Sequence, residues 1–488
     1  MARILLIEPP VPENPSKVMR IIGSIGSLKA AVKYPPHDLT VLGGFLRKNG
    51  IEDFEIIDAL NLNYSWKRLK YEISKENPEA VVFTCTIPTL DNDTKVAEIA
   101  KEVNPEIKTI MINFLMETCR YNILERYKDV DFACIRDYEI PVLNLIKNNY
   151  DGRKVKGIYY RDNGRVVRNA GCEYCWNLDE LGIPAHDKLP LRIYEDHIIK
   201  RKPMALVLCS RGCVNQCHHC TSIGLNPLRT RSVESVIEEL RFLESLGVKE
   251  ITFWDCELPF ERNNTKQAWI KKFLRRIKEE KFDFTMSCNV RSDCINYEIL
   301  KLMKSVGFHT LKLGADSCFQ HILDNMNKNE TVEEIERAAR EIKELGFKLL
   351  TYCTLGHRGE TAETMRATIK WVTHKLKPDF TTFSIAVPVK GTVFYNYLKE
   401  YGYLNEDAEG DPNAPPTYDY LGRVEKEGLP DLTSKEMYKI AMWGYRYFYL
   451  RPSYIVRRLL TTNNLLFDVK NGLYFILRYV FEPLKRVV

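Results

Sequence analysis

Residues 209–220, CSRGCVNQCHHC, place four cysteines and two histidines in twelve positions, directly after the strand-like run MALVLCS. Taken as ligands, Cys213, Cys217 and Cys220 have the spacing C-x3-C-x2-C, and three thiolates leave one tetrahedral position unfilled. A structural zinc needs that position closed, which His218 or His219 could supply. A ferredoxin-type cluster needs a fourth cysteine, for which Cys209 is the formal candidate, although it lies inside the strand pattern. The third option is a metal centre whose last position stays open for a ligand.

The elements around the cluster show what must position it. A chain of 488 residues is too long for one compact core, so two or three domains are expected. Residues 1–150 alternate apolar runs (RILLIE, FEIIDA, AVVFTCT, KTIMINF, VDFACI) with helical patterns. This predicts βαβ units and a Rossmann-like parallel sheet. Residues 151–198 read as a hairpin around an Asn-Gly turn followed by a Pro-rich connection. Over 199–400 six strand candidates recur (MALVLCS, EITFWD, FDFTMSC, TLKLGA, FKLLTYCTLG, FTTFSIAV), separated by amphipathic stretches. In one of these, Val233, Ile237, Leu240 and Leu243 share a face behind an N-cap at Ser232. Six such units predict a partial (β/α)6 barrel with ligands at the C-terminal strand ends. The cysteine cluster follows the first strand of that array. Residues 401–488 lose β character and form a helical, basic C-terminal region. The fold class is therefore α/β.

Charge narrows the partners. The net charge is +6, and residues 446–488 alone carry that excess, with eight Lys or Arg against Asp468 and Glu482. The rest of the chain is balanced, which argues against a nucleic-acid-binding surface. The start MARILLIEPP reads as a first strand and not as a signal peptide, and no long uncharged apolar run occurs, so a cytoplasmic protein is expected. Only three glutamines (Gln216, Gln267, Gln320) beside plentiful Lys, Arg, Glu and Ile give the composition of a protein from a hot environment. The tail interleaves aromatic and aliphatic residues with arginines, a pattern suited to peripheral contact with a membrane or to helices closing the barrel.

A three-cysteine loop after the first strand of a six-unit array resembles the radical S-adenosylmethionine (radical SAM) superfamily. Blocks such as VDFACIRDYEIPVL, RTRSVESVIEEL, EITFWDCELPF and GHRGETAETMRATIKW resemble the subgroup with an N-terminal cobalamin-binding domain. Within it, TMSCNVRSDCINYEILK and YRYFYLRPSYIVRRLL are similar to lipid-remodelling members, namely the hopanoid head-group ring-contraction enzyme and the archaeal calditol synthase. The resemblance implies a [4Fe-4S] cluster on Cys213, Cys217 and Cys220 whose open iron takes the amino and carboxylate groups of SAM. One electron then yields a 5′-deoxyadenosyl radical.

The same resemblance assigns cofactor contacts. Asp255 matches an acidic position near the SAM amino group, Asn289 and Arg291 match polar positions beside its carboxylate and ribose, and Asp316, Ser317 and Glu360 match further binding positions. His219 stands where an aromatic residue is usual, Cys256 where a second Asp is common, and GHRGET replaces Gly-Leu-Pro-Gly-Glu-Thr. MINFLMETC and IIDALNLNY lack the glycine pair and the Asp-x-His-x-x-Gly motif associated with cobalamin, so that cofactor is left open. Cys288 and Cys318 are catalytic candidates as hydrogen-atom donors, with small buried hydrophobes as the plain alternative. Cys172 and Cys175 form a further pair of unassigned role.

The expected activity is hydrogen abstraction from a lipid or lipid-linked polyol, leading to ring formation, ring contraction or carbon–carbon bond formation. An electron donor such as ferredoxin or flavodoxin is implied. The alternatives are a cobalamin-dependent radical SAM methyltransferase and a non-catalytic metal-binding scaffold.

Overall fold

The computed structural model describes residues 3–11, 32–86, 89–113, 123–169, 171, 173–221, 227–405 and 417–461. The first sheet has seven strands: β1 (Ile4–Glu8), β2 (Phe54–Asp58), β3 (Ala80–Thr84), β4 (Lys108–Asn113), β5 (Phe132–Ile135), β6 (Ile158–Asp162) and β7 (Arg165–Arg168), in the order β2-β1-β3-β4-β5-β6-β7. The first five pair in parallel, and β6 and β7 add antiparallel at the edge. The five parallel strands are apolar and largely buried, as expected when helices cover both faces. The hairpin predicted within 151–198 is thus the edge of this sheet. Its turn residues Asn163 and Gly164 both have positive φ, which the tight two-residue connection requires.

The chain then passes through β8 (Met204–Val207) and a short ribbon of β9 (Ser210–Arg211) paired antiparallel with β10 (Arg229–Thr230). It continues through β11 (Glu250–Phe253), β12 (Thr285–Val290), β13 (Phe308–Gly314), β14 (Lys348–Leu355) and β15 (Phe380–Ile385). The six long strands pair in parallel in chain order, from β8 to β15, with helices between them. This is the partial barrel. Ser232 caps the helix Val233–Ser245 through a bond from Ser235 N, and Val233, Ile237, Leu240 and Leu243 are buried as predicted.

Helix Ser434–Tyr449 closes the far side of the barrel. Its Tyr449 hydroxyl exchanges hydrogen bonds with Thr381 of β15, at 2.8 and 3.0 Å. Gly444 allows this approach, because a Cβ there would lie 2.9 Å from Ile369 and 3.0 Å from Phe383. Helix Pro452–Thr461 continues beneath the barrel, with the Tyr454 hydroxyl donating to Asp379 O at 3.0 Å. The described start of the tail therefore contacts the barrel, while residues 462–488 lie outside the described residues. Among the described residues, no helix is long and apolar enough to cross a membrane.

Candidate functional site

The three-cysteine loop leaves the barrel at the end of β8 and is spliced into the β9–β10 ribbon, so both of its ends are fixed by strand pairing. Gly212, at φ +89°, turns the chain into Cys213. Three neighbours then pin the loop. His218 N donates to Met326 O at 2.9 Å, Asn327 Nδ2 donates to Gln216 O at 2.9 Å, and Phe394 N donates to His218 O at 2.9 Å. Cys213 is buried and Cys217 and Cys220 are half-buried, while Cys209 is enclosed in the core. Burial pushes the Cys217 thiol up to about 11 and that of Cys213 higher. A cation ligated there would have to displace those protons, which couples loading to pH. Among the described residues, no three His, Cys, Asp or Glu side chains converge on one ion-sized point. A four-iron cluster is broader than one ion and does not require its thiolates to meet.

The turn after β11 braces the loop from below. Asp255 is 1% exposed, and its carboxylate accepts from Cys209 N at 3.0 and 3.2 Å and from the Ser210 hydroxyl at 2.6 Å. Its oxygens are thus engaged by the root of the cysteine loop, where the sequence had suggested a contact with the SAM amino group. Burial raises its carboxyl to about 6, partly offset by the bonds from Ser210 and Cys209. Two residues on, Glu257 lies 3.2 Å from Cys213 Sγ, and Asn215 Nδ2 bridges the two at 3.4 and 3.3 Å.

The remaining predicted cofactor residues gather at the ends of β12, β13 and β14. Asn289 Nδ2 donates to Asp255 O at 2.7 Å. Arg291 pairs with Asp293 at 3.0 Å and Glu330 at 3.3 Å, and donates to Lys328 O at 2.8 Å. Asp316, at φ +40°, pairs with Lys328 and accepts from Thr354 N at 3.1 Å. Burial alone would raise its carboxyl, but the Lys328 ammonium holds it down to about 2. The Ser317 hydroxyl accepts from Phe319 N at 3.2 Å and so serves the local turn. Glu360 accepts from Gly356 N at 2.5 Å and His357 N at 2.9 Å, and burial raises it to about 7. Asn289 Oδ1, His219 Nδ1, His357 Nε2 and Glu360 Oε1 are buried without a hydrogen-bond partner. Each such atom costs ~1–3 kcal/mol unless a ligand satisfies it. A cluster on three thiols with a polar ligand beside these atoms fits the residues present.

Cys288 and Cys318 do not reach the barrel interior. The Phe253 ring meets Phe273 of the outer helix Ala268–Glu280 edge to face, so its register partners Cys288 and Leu311 also face outward. Cys288 Sγ accordingly contacts Leu258 O at 3.5 Å. Cys318 Sγ lies 3.6 Å from Thr368 Oγ1 on the outer helix Ala362–Trp371. The period-2 alternation of β12 puts the Cys288 thiol on the helix side, and Cys318, in the bend after β13, sets its thiol against an outer helix, so the contacts of both oppose their candidacy as hydrogen-atom donors. Cys172 lies outside the described residues, and Cys175 Sγ donates to Asn177 O at 3.2 Å.

Sequence reasoning missed Glu257, Asn215, Lys328 and Glu330, whose types alone carry no signal. It also missed a clamp between the domains. Arg211, one residue before Gly212, forms a buried pair with Glu139 at the start of helix Glu139–Lys147, and Arg229 pairs with Asp137. His219, expected in an aromatic position, instead meets His357 with ring centroids 4.6 Å apart.

A three-thiol loop at the mouth of a parallel partial barrel, behind a Rossmann-like sheet, defines a metal-dependent enzyme of a specific architecture. Residues 207–372 match the model of the radical SAM superfamily, so this part of the chain is a radical SAM domain. Over 98% of its length the chain is 29% identical to an uncharacterized methyltransferase of Pyrococcus horikoshii, covering 99% of that protein. It is 25% identical to the anaerobic magnesium-protoporphyrin IX monomethyl ester cyclase of Rubrivivax gelatinosus, over 88% of this chain and 76% of that one. Among solved structures, the cobalamin-dependent SAM radical enzyme OxsB with aqua-cobalamin bound is similar over 98% of this chain and 71% of its own, with TM-score 0.72 and 15% identity. The radical SAM methyltransferase TsrM of Kitasatospora setae, with cobalamin and a [4Fe-4S] cluster bound, is similar over 82% of this chain and 78% of its own, with TM-score 0.64 and 19% identity. The two-domain fold is therefore that of cobalamin-binding radical SAM enzymes, and a likeness to lipid-remodelling enzymes is not shown.

Proposed function

We propose that the protein is a radical SAM methyltransferase of the cobalamin-dependent kind. The observation that carries the reading is likeness along nearly the whole chain to a methyltransferase, joined to a three-thiol loop at the barrel mouth. In this reading Cys213, Cys217 and Cys220 hold a [4Fe-4S] cluster, which supplies the electron for reductive chemistry on SAM. Asp255 and Glu257 fix the loop that presents the thiols. Asn289 Oδ1 and Glu360 Oε1 offer acceptors to SAM, and His219 and His357 offer ring nitrogens.

Support for cobalamin comes from the fold. In the described part of the first sheet's C-terminal rim, Thr84 donates to Glu8 at 2.5 Å, and Asp58 accepts from Asn61 Nδ2 at 2.8 Å and Tyr194 at 2.9 Å. The segments after β1 and β4 that would complete the rim include residues outside the described set.

The lipid or lipid-linked polyol expected from the sequence finds no comparable support. The inward positions of the barrel include Thr252 and Ser287, 3.2 Å apart, and Lys312, whose ammonium lies 4.9 Å from the Trp254 ring. Tyr34 and Asp196 pair with each other, and Asp196 also acts electrostatically on Lys312 and Tyr352. A lumen of this polarity suits a compact polar or aromatic substrate better than an alkyl chain.

The test is anaerobic reconstitution with iron and sulfide, with and without a corrinoid, followed by incubation with methyl-labelled SAM and an electron donor such as ferredoxin or flavodoxin. Retention of corrinoid through gel filtration and label leaving SAM for the corrinoid are expected. Formation of 5′-deoxyadenosine with no corrinoid retention and no methyl release would return the reading to hydrogen abstraction without methyl transfer.

A further inference from the structure

The inner face of the barrel carries a charge that the site described above does not use. Phe383 of β15 packs outward on Tyr445 of helix Ser434–Tyr449, so its neighbours Thr382 and Ser384 face inward. Tyr352 of β14, the register partner of Thr382, faces inward with them. The outward Cys353 and Phe383 are buried, whereas the inward Tyr352, Thr382 and Ser384 are half-buried. On these two strands the inner face is therefore the more open one, unlike a barrel filled by its own side chains.

Lys312 of β13 faces the same interior, because Leu311 beside it points outward. Its ammonium lies 4.9 Å from the centre of the half-buried Trp254 ring, and the Tyr34 ring lies 5.0 Å from that of Trp254. Lys312 is 1% exposed, and its Nζ is buried with no hydrogen-bond partner among the described residues. The two carboxylates that act electrostatically on it, Asp196 and Glu250, are engaged by other groups. Asp196 accepts from the Tyr34 hydroxyl and from Ile198 N at 3.4 Å, and lies 2.8 Å from His197 Nδ1. Glu250 meets His309 Nε2 at 2.7 Å and accepts from Lys200 N at 3.1 Å.

Lysine is almost never fully buried unless it is paired, and an unpaired buried ammonium destabilises the fold. Packing does not account for it, since methionine would fill nearly the same space without that cost. The charge therefore lacks a counter-charge that the chain itself does not supply. Asn289, the register partner of Lys312 on β12, also has its Oδ1 buried without a partner. Adjacent strands are ~5 Å apart, so Lys312 stands beside the acceptor assigned above to SAM.

We propose that Lys312 anchors an anionic substrate: its ammonium pairs with a substrate carboxylate while the flat part of the same molecule lies against Trp254 and Tyr34, inside the barrel and beside SAM. This names an aromatic carboxylate as the substrate class, and it rests on the methyltransferase reading for the place of SAM. Because Nζ is covered, entry of the carboxylate requires the Trp254 or Tyr34 ring to turn aside.

The experiment uses the full chain, anaerobically reconstituted and supplied with SAM but no electron donor. Equilibrium dialysis measures the binding of naphthoate and of its uncharged amide to the wild type, Lys312→Met and Lys312→Gln. SAM affinity and the urea midpoint of the iron-free proteins are measured alongside. The wild type should prefer naphthoate to the amide by about tenfold or more, the factor a hydrogen bond to a charged group supplies. Both variants should lose that preference and keep their SAM affinity, and Lys312→Met should unfold at a urea concentration no lower than the wild type. Equal binding of acid and amide by the wild type, or binding of neither, overturns the proposal. A lower urea midpoint in Lys312→Met also overturns it, because the ammonium would then hold the fold together. Loss of SAM affinity in both variants overturns it as well, since Lys312 would then serve SAM and not a second molecule. None of these results touches corrinoid retention or methyl release, on which the methyltransferase reading is judged separately.

Discussion

Replacing Asp255 by Asn separates what this carboxylate does for the loop from what it does for SAM. The side chain is 1% exposed, so solvent screening does not discount its electrostatics. Burial raises its carboxyl from 3.8 to about 6, against the opposing bonds from Ser210 and Cys209. A folded value above the unfolded one means that folding favours the protonated form. The cost is absent below pH ~4, grows as pH rises and is complete above about 6, amounting to ~3 kcal/mol at ~1.4 kcal/mol per unit. Asparagine cannot ionise and lacks this pH-dependent cost. Its oxygen can keep the two bonds that converge on Oδ1, from Cys209 N and the Ser210 hydroxyl, but an amide donor then stands where Oδ2 accepts from Cys209 N at 3.2 Å, at ~1–3 kcal/mol. Urea denaturation of iron-free wild type and Asp255→Asn at constant ionic strength should find the variant less stable by ~1–3 kcal/mol near pH 4. By pH 7 the balance should have moved ~3 kcal/mol in the variant's favour. A difference that stays flat with pH would refute the buried-carboxylate argument. The reconstituted variant should also lose iron, with SAM affinity falling in step. Full iron with SAM binding alone lost would restore Asp255 to direct contact with SAM.

Cys213→Ala, Cys217→Ala and Cys220→Ala should each abolish the broad visible absorption of a reconstituted cluster, whereas Cys209→Ala, in the core, should retain it; loss in Cys209→Ala alone would favour a four-cysteine ferredoxin site. Glu139→Gln breaks the buried pair with Arg211 and should cost ~3–5 kcal/mol, read as a lower urea midpoint together with lower iron retention. Gly356→Ala should destabilise the mouth, because φ is +87° and a Cβ would lie 2.5 Å from the Tyr418 hydroxyl; an unchanged melting temperature would contradict the contact. Helix Pro452–Thr461 leaves Leu460 80% exposed beside exposed Ile455, Val456 and Leu459, so the intact chain should co-sediment with anionic vesicles at low salt more than a chain ending before Ser453; equal sedimentation would remove the membrane contact.

Much of the architecture is legible in the sequence because strands and helices of the two sheets keep distinct periods. The six barrel runs fall on β8 and β11 to β15, and the cysteine loop follows the first of them. The hairpin at Asn163 and Gly164 was also visible, but not that β6 would continue the first sheet, since strand partners are set by tertiary packing. Side-chain direction was less accessible. Cys288 occupies a strand that carries functional positions, and only the register with Phe253 and Leu311 shows that its thiol faces the helices. Asp255 stood out in the sequence as a carboxylate at a strand end, yet its partners, Cys209 N and Ser210, lie more than forty positions away. Glu257 and Asn215 escaped notice for the same reason, since their chemistry depends on which thiol they meet.

The arrangement also explains why one loop requires so many external contacts. In the cluster reading the three thiols must stay apart to hold the cluster between them, so the loop cannot be stabilised by collapsing on itself. Its order has to come from outside: the β9–β10 ribbon at its ends, Asp255 and Glu257 beneath, Met326 and Phe394 along its side, and Glu139 of the first domain behind Arg211. Each fixed residue costs ~1–2 kcal/mol of backbone entropy, which these bonds offset one at a time. The last contact is the most consequential for function, because it joins the cysteine loop to the sheet of the other domain. Any ligand that shifts helix Glu139–Lys147 moves the partner of Arg211, only two residues before Cys213.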